Sequence, residues 1–195
     1  MSNTSLPPPI TAAMKEQARR QPGRKLFVVD PEFGVDQQVP GWGVRGGFPV
    51  TDTGDIDVHG WHPNPAYRPG PRTLGWPTPD TAADRALELV SAGYAPQQTL
   101  RNALTTSDAQ LHILTDEQGT LIVLGGTRNT CLLACYTSPA RIPDGVRTTT
   151  LPAPFILQSA RERALDAIVL NPDCTPSLVL PTRAPAPESD LMRTP

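Results

Sequence analysis

The chain has 195 residues, enough for one ordinary domain of roughly 150 residues, and its 17 Lys and Arg against 19 Asp and Glu leave a formal charge of −2. That balance gives no bulk attraction to nucleic-acid phosphates, so no nucleic-acid partner is expected. Gly and Pro together make one residue in five and exclude a coiled coil, while 38% hydrophobic residues exclude a wholly disordered chain.

Residues 1–24 read as a polar, proline-bearing lead and a short helix, capped by Thr11 and stopped by Pro22 and Gly23. Lys15, Arg19, Arg20, Arg24 and Lys25 crowd this end, either as a solvated helix face or as a dock for an acidic partner or RNA. Residues 25–29 have the β-branched and aromatic content of a buried strand, which Asp30-Pro31 ends. Residues 44–50 and 56–58 flank a turn closed by Gly54, predicting a β-hairpin. Gly41, Gly43, Gly46 and Gly47 read as turn glycines, since no Lys-Ser/Thr follows them to make a phosphate loop. From His62 to Pro79, six prolines remove backbone donors and forbid a helix or central strand.

A helix is predicted over 81–92, where Ala83, Ala86, Leu87 and Val90 share a face and Gly93 takes the position after the cap. A second, at 96–104, follows Pro96. Residues 111–115, 120–124 and 130–136 then read as a three-stranded meander. A helical turn at 138–143, a strand at 148–151, a helix at 155–164 and strands at 167–170 and 178–180 follow. Residues 184–195 carry too little apolar surface to repay ordering and are expected to form a mobile tail. The domain organisation expected is therefore 1–24, a hairpin and proline-loop region at 25–79, an α+β region at 80–183 forming one compact unit with 25–79, and the tail. No apolar run approaches the length of a membrane span or a signal peptide. Three cysteines without CxxC spacing fit a reducing compartment. A cytoplasmic protein is the expectation.

Chemistry-bearing residues are few. Asp55, Asp57 and His59 alternate with Ile56 and Val58, as the wet face of a strand does and as a metal site would. His59 and His62 have zinc-ligand types, but Gly60 and Pro63 oppose the helix that would join them, so no metal or cofactor is expected. Cys135 with His112 would supply the minimum of a Cys-His nucleophile. The same cysteines, Cys131 and Cys135 set among leucines, also read as small buried hydrophobes. No serine occupies a G-x-S-x-G elbow, and no catalytic residue is assigned. Trp42, Trp61, Tyr67 and Trp76 lie beside Arg45, Arg68 and Arg72, the mixture that interfaces favour and that rigid proline loops also use to pin themselves to their own sheet. Trp61, Tyr67, Arg68, Arg72 and Trp76 are the candidate partner-binding residues.

Four blocks in the C-terminal half carry a family pattern: residues 111–119, 135–143 (Cys-Tyr-Thr-Ser-Pro-Ala-Arg-Ile-Pro), 168–173 (Ile-Val-Leu-Asn-Pro-Asp) and 177–181 (Ser-Leu-Val-Leu-Pro). In order and spacing they resemble the SseB-like N-terminal domain, and residues 63–77 resemble a block of actinobacterial type VII secretion system-associated proteins. Tyr136 stands where that pattern has phenylalanine and Asp173 where it has glycine. The resemblance implies an α+β fold, an antiparallel-rich sheet packed by helices, and no established catalytic residues. It implies a non-catalytic cytoplasmic accessory protein whose partner is secretion machinery or a secreted substrate, or alternatively an immunity protein against a secreted toxin. Exported substrates of such systems resemble helical hairpins with a W-x-G turn. Trp42, Trp61 and Trp76 all lack that glycine, so cargo of this kind is not expected.

Overall fold

The structure is a computed structural model that describes residues 6–34, 36–125 and 130–183. The tail expected at 184–195, the first five residues of the lead and the polar stretch 126–129 lie outside the described residues. The fold is α+β, with antiparallel-rich sheets and four α-helices among the described residues. The sequence reading joins 25–79 with 80–183; the contacts gather into two compact units, Met1–Thr78 with Ala92–Tyr94, and Pro79–Ser91 with Ala95–Pro195.

In the first unit, α1 (Ala12–Arg19) starts where Thr11 Oγ1 accepts from the Met14 amide at 3.2 Å. Its buried Ala18 packs with Leu26 and Val50, and Met14 and Ile56 close over them. Strand β1 (Lys25–Val29) pairs antiparallel with β2 (Val44–Pro49), which also takes the two-residue edge strand β3 (His62–Pro63). Gly46 and Gly47 thus lie within a strand, correcting their reading as turn residues. A Cβ on Gly46 would stand 2.5 Å from the His62 carbonyl oxygen and 2.6 Å from the Trp61 ring, so backbone and indole approach where only hydrogen fits.

The expected 44–58 hairpin is reduced to one bridge, Val50 to Ile56. Asp57 Oδ1 accepts from the amides of His59 and Gly60, both at 3.1 Å, and this side-chain turn replaces the strand ladder. Asp55, Asp57 and His59 therefore do not line a strand face.

In the second unit, α2 (Ala82–Ser91) and α3 (Gln97–Leu104) form the expected helical pair; Gly93, at φ +74° and counted with the first unit, takes the left-handed turn after α2. Strands β4 (Gln110–Leu114), β5 (Val123–Gly125), β6 (Cys131–Tyr136), β7 (Thr148–Pro152), β8 (Ala167–Leu170) and β9 (Leu178–Pro181) build one sheet in the order β7-β4-β6-β8-β9, with β5 on β6. The expected meander is not formed. Both β4 and β5 run along β6, pairing Ile113 with Cys135 and Val123 with Leu133, while the residues between them turn out and back through a single antiparallel bridge, Thr115 to Leu121. Helix α4 (Ala153–Glu162) carries the crossover that lets β8 lie parallel to β6. Apolar residues of α2, α3 and α4, among them Leu87, Leu100, Leu104 and Ile156, close over Leu111, Ile113, Cys135, Ile168 and Leu170 to form the core.

Candidate functional site

The loop after β3 is held from one point. Asp30, just past β1 and 1% exposed, accepts at Oδ2 from the Tyr67 hydroxyl at 2.5 Å, the Thr73 hydroxyl at 2.9 Å and the Gly70 amide at 3.1 Å. Its Oδ1 takes the Glu32 amide at 2.9 Å. A carboxylate with four donors is well compensated for its burial, and it fixes three points of a proline-rich segment at once. Burial first, then the bond to Asp30, pushes the Tyr67 phenol up to about 12, so it stays protonated and donating.

The five candidate residues divide by what they touch. Trp61 packs on Phe48, with ring centroids 4.6 Å apart, and Tyr67 is tied to Asp30 with the Arg45 guanidinium 5.9 Å from its ring. These two secure the loop to its own unit. Arg68 is exposed, its guanidinium 5.8 Å from the Trp42 ring centroid, and its carbonyl accepts from the Tyr94 hydroxyl at 2.7 Å. Arg72 is exposed, bonds the Pro31 carbonyl at 3.3 Å and approaches Glu32 at 3.6 Å. Trp76 is half-buried, held by its amide to Pro71 O at 3.0 Å. Phe33, Trp42 and Tyr94 form a ring cluster beside them, with centroids 4.7 to 5.6 Å apart. Asp30 and Tyr94 belong to this arrangement, and sequence reasoning missed both. A carboxylate directly after an apolar strand was the available signal, but its partners lie 37 to 43 residues away.

A second polar cluster lies inside the other unit. Arg141, in the turn after β6, donates through Nε to Asp84 at 3.3 Å and through Nη2 to Glu88 at 3.1 Å, and all three are buried. Ser138 Oγ donates to Asp84 at 2.8 Å, Thr137 Oγ1 also donates to Asp84, and the Asn171 side chain accepts from the Thr137 amide at 2.9 Å. Burial works to raise the Asp84 carboxyl, but the hydroxyl donors and the Arg141 charge outweigh it and hold the group below its ordinary value. Burial prevails at Glu88, whose carboxyl is pushed up despite Arg141. The signal available in sequence was the spacing: Asp84 and Glu88, four apart on α2, flank the apolar Leu87. With Arg85 also 3.6 Å from Glu88, the cluster ties the 138–143 turn to α2 by two guanidinium groups facing two carboxylates, which is structural chemistry.

Cys135 and His112 are not brought together. Ile113 is the residue opposite Cys135, so His112 points to the other face of the sheet, where its Nδ1 meets Thr150 Oγ1 at 2.8 Å. Burial pushes the Cys135 thiol up to about 12, away from a nucleophilic thiolate. Among the described residues no group of three or more His, Cys, Asp or Glu is placed to hold a metal ion, and no helix is long and apolar enough to cross a membrane.

No family model matches the chain, and no curated protein matches it.

Proposed function

We propose that the chain is a non-catalytic accessory protein of a type VII secretion system, working by binding a protein of the machinery or a secreted substrate. The observation that carries this is the 61–77 loop. Asp30 gives it a fixed shape, and it offers exposed Arg68 and Arg72 beside half-exposed Trp61, Tyr67 and Trp76. A rigid loop bearing aromatic and arginine side chains binds with little ordering cost, the condition that interfaces reward. A second observation supports the SseB-like resemblance. Asp173, at the position of the family's glycine, has φ +61°, a conformation glycine adopts freely.

The test is affinity capture from an actinobacterial lysate at physiological salt, with mass spectrometry, comparing the native chain with an Arg68→Glu, Trp76→Ala variant. Those positions leave the Asp30 anchor intact. Retention of the secretion ATPase or of helical-hairpin substrates by the native chain, and their loss from the variant, is the result expected. A single toxin retained instead would transfer the reading to immunity. Retention of no secretion component would remove it.

A further inference from the structure

The sheet face that α2, α3 and α4 cover is left open at one end. There a groove of about 550 Å³ lies between α4 and the β5 end of the sheet, with Leu121, Val123 and Leu133 along its floor and Phe155 and Ser159 along its wall. Leu121, Val123 and Phe155 are 42%, 49% and 56% exposed, three large apolar side chains gathered around one cleft instead of scattered singly. Two further features say what fits it. Arg163, capping α4, lines the groove and has no side-chain partner among the described residues, although Glu162 beside it is engaged by Gln158. Strand β5 pairs with β6 alone: β7 runs along β4 and begins at Thr148, opposite Leu114, so no described strand continues along the outer edge of Val123–Gly125.

We infer that this groove is a docking site for an extended segment of a partner protein, one with apolar side chains at alternate positions and a carboxylate placed to meet Arg163. An added strand on β5 would satisfy its outer backbone groups, and the period of two would turn every second side chain onto Leu121, Val123 and Phe155. The lone guanidinium sets the charge of the occupant and its direction along the groove. A small apolar anion would meet Arg163 but leave the strand edge unpaired, which is why the peptide is favoured. The inference rests on the reading that the chain works by binding protein, and it places a second contact surface away from the 61–77 loop.

Panning phage-displayed random dodecapeptides against the full chain tests it. Enriched peptides should alternate apolar residues around an Asp or Glu, and binding of the best synthetic peptide should fall about tenfold or more with Arg163→Glu or Val123→Thr. Panning on the Arg163→Glu protein should enrich Lys or Arg in place of the acid, and hydrogen exchange at residues 123–125 should slow when the peptide is bound. Peptides whose binding ignores Arg163 overturn the proposal, as does failure to enrich any. A dimer in sedimentation that dissociates with Val123→Thr would give the groove to a second copy, and binding seen only after removing residues 184–195 would give it to the chain's own end; each overturns the partner assignment. Arg68→Glu should leave peptide binding unchanged. Peptide binding without capture of secretion components therefore sinks the accessory reading alone, and the reverse outcome sinks the groove alone.

Discussion

The Tyr67 hydroxyl donates to Asp30 Oδ2 over 2.5 Å, closing 37 residues of chain onto a carboxylate that is almost wholly buried. Tyr67→Phe keeps the ring and removes the donor. Because Asp30 retains three other donors, the loss should be about 1–2 kcal/mol, whereas Asp30→Ala strands all four donors and should cost more. Urea denaturation of the two variants checks the ranking, and equal costs would mean that Asp30 is not the anchor.

The protein's three tyrosines all have raised phenol pKa values, burial being the leading cause at each: Tyr67 to about 12, Tyr94 and Tyr136 also upward. Absorbance at 295 nm should therefore show less tyrosinate at pH 10 in the folded protein than after urea exposes the rings, whose ordinary pKa of 10 leaves about half of them ionised there. A tyrosine titrating near 10 before unfolding would contradict the packing described.

Arg141 serves two buried carboxylates, so Arg141→Leu leaves Asp84 without its cation and Glu88 with only Arg85, 3.6 Å away, and should destabilise by about 3–5 kcal/mol. Lysine has one point charge and cannot span both acids as the guanidinium does, so Arg141→Lys should fall between. Chemical denaturation midpoints decide this.

Asp84 gives a pH dependence of definite sign. Its folded carboxyl lies below the ordinary value of 3.8, so the folded state holds fewer protons than the unfolded one. The stability this contributes is complete above that value and is lost as pH falls through the lower, folded one. Glu88 acts oppositely, its raised value favouring the folded form as it protonates, above the range where Asp84 responds. Asp84→Asn should flatten the fall in stability below pH 4 while lowering stability at pH 7, read from thermal midpoints across that range.

Asp173 holds a left-handed φ that a side chain disfavours, and it is exposed. Asp173→Gly should stabilise by up to about 1 kcal/mol. Gly46→Ala should do the reverse. Its Cβ must displace the His62 carbonyl or the Trp61 ring, at a cost of about 1–3 kcal/mol, with a shift in tryptophan fluorescence that Asp173→Gly does not share.

What could be read from sequence was what short-range chemistry decides. Helix α1 follows from Thr11 and its stop signals, α2 from its apolar stripe and Gly93, and β1 from its β-branched run. What could not be read depends on partners far along the chain. The β4–β5 hairpin shrank to its closing bridge, Thr115 to Leu121, because β6 offers both strands one edge, and nothing local distinguishes that from a meander. Gly46 read as a turn because the indole that requires it comes fifteen residues later. The 61–77 loop announced itself through Trp61, Tyr67 and Trp76, but Asp30, which shapes it, looked like a strand terminator. The Asp84–Glu88–Arg141 cluster joins a helix to a turn more than fifty residues away.

The place of β6 also sets an order of assembly. Its parallel neighbour β8 is made only after β7 and α4, so a chain emerging from the ribosome has β4, β5 and β6 in hand well before β8 arrives. Until then Leu132–Cys135 presents an apolar edge with unpaired backbone, and a synthesis halted near Leu165 would leave that edge open to other nascent chains.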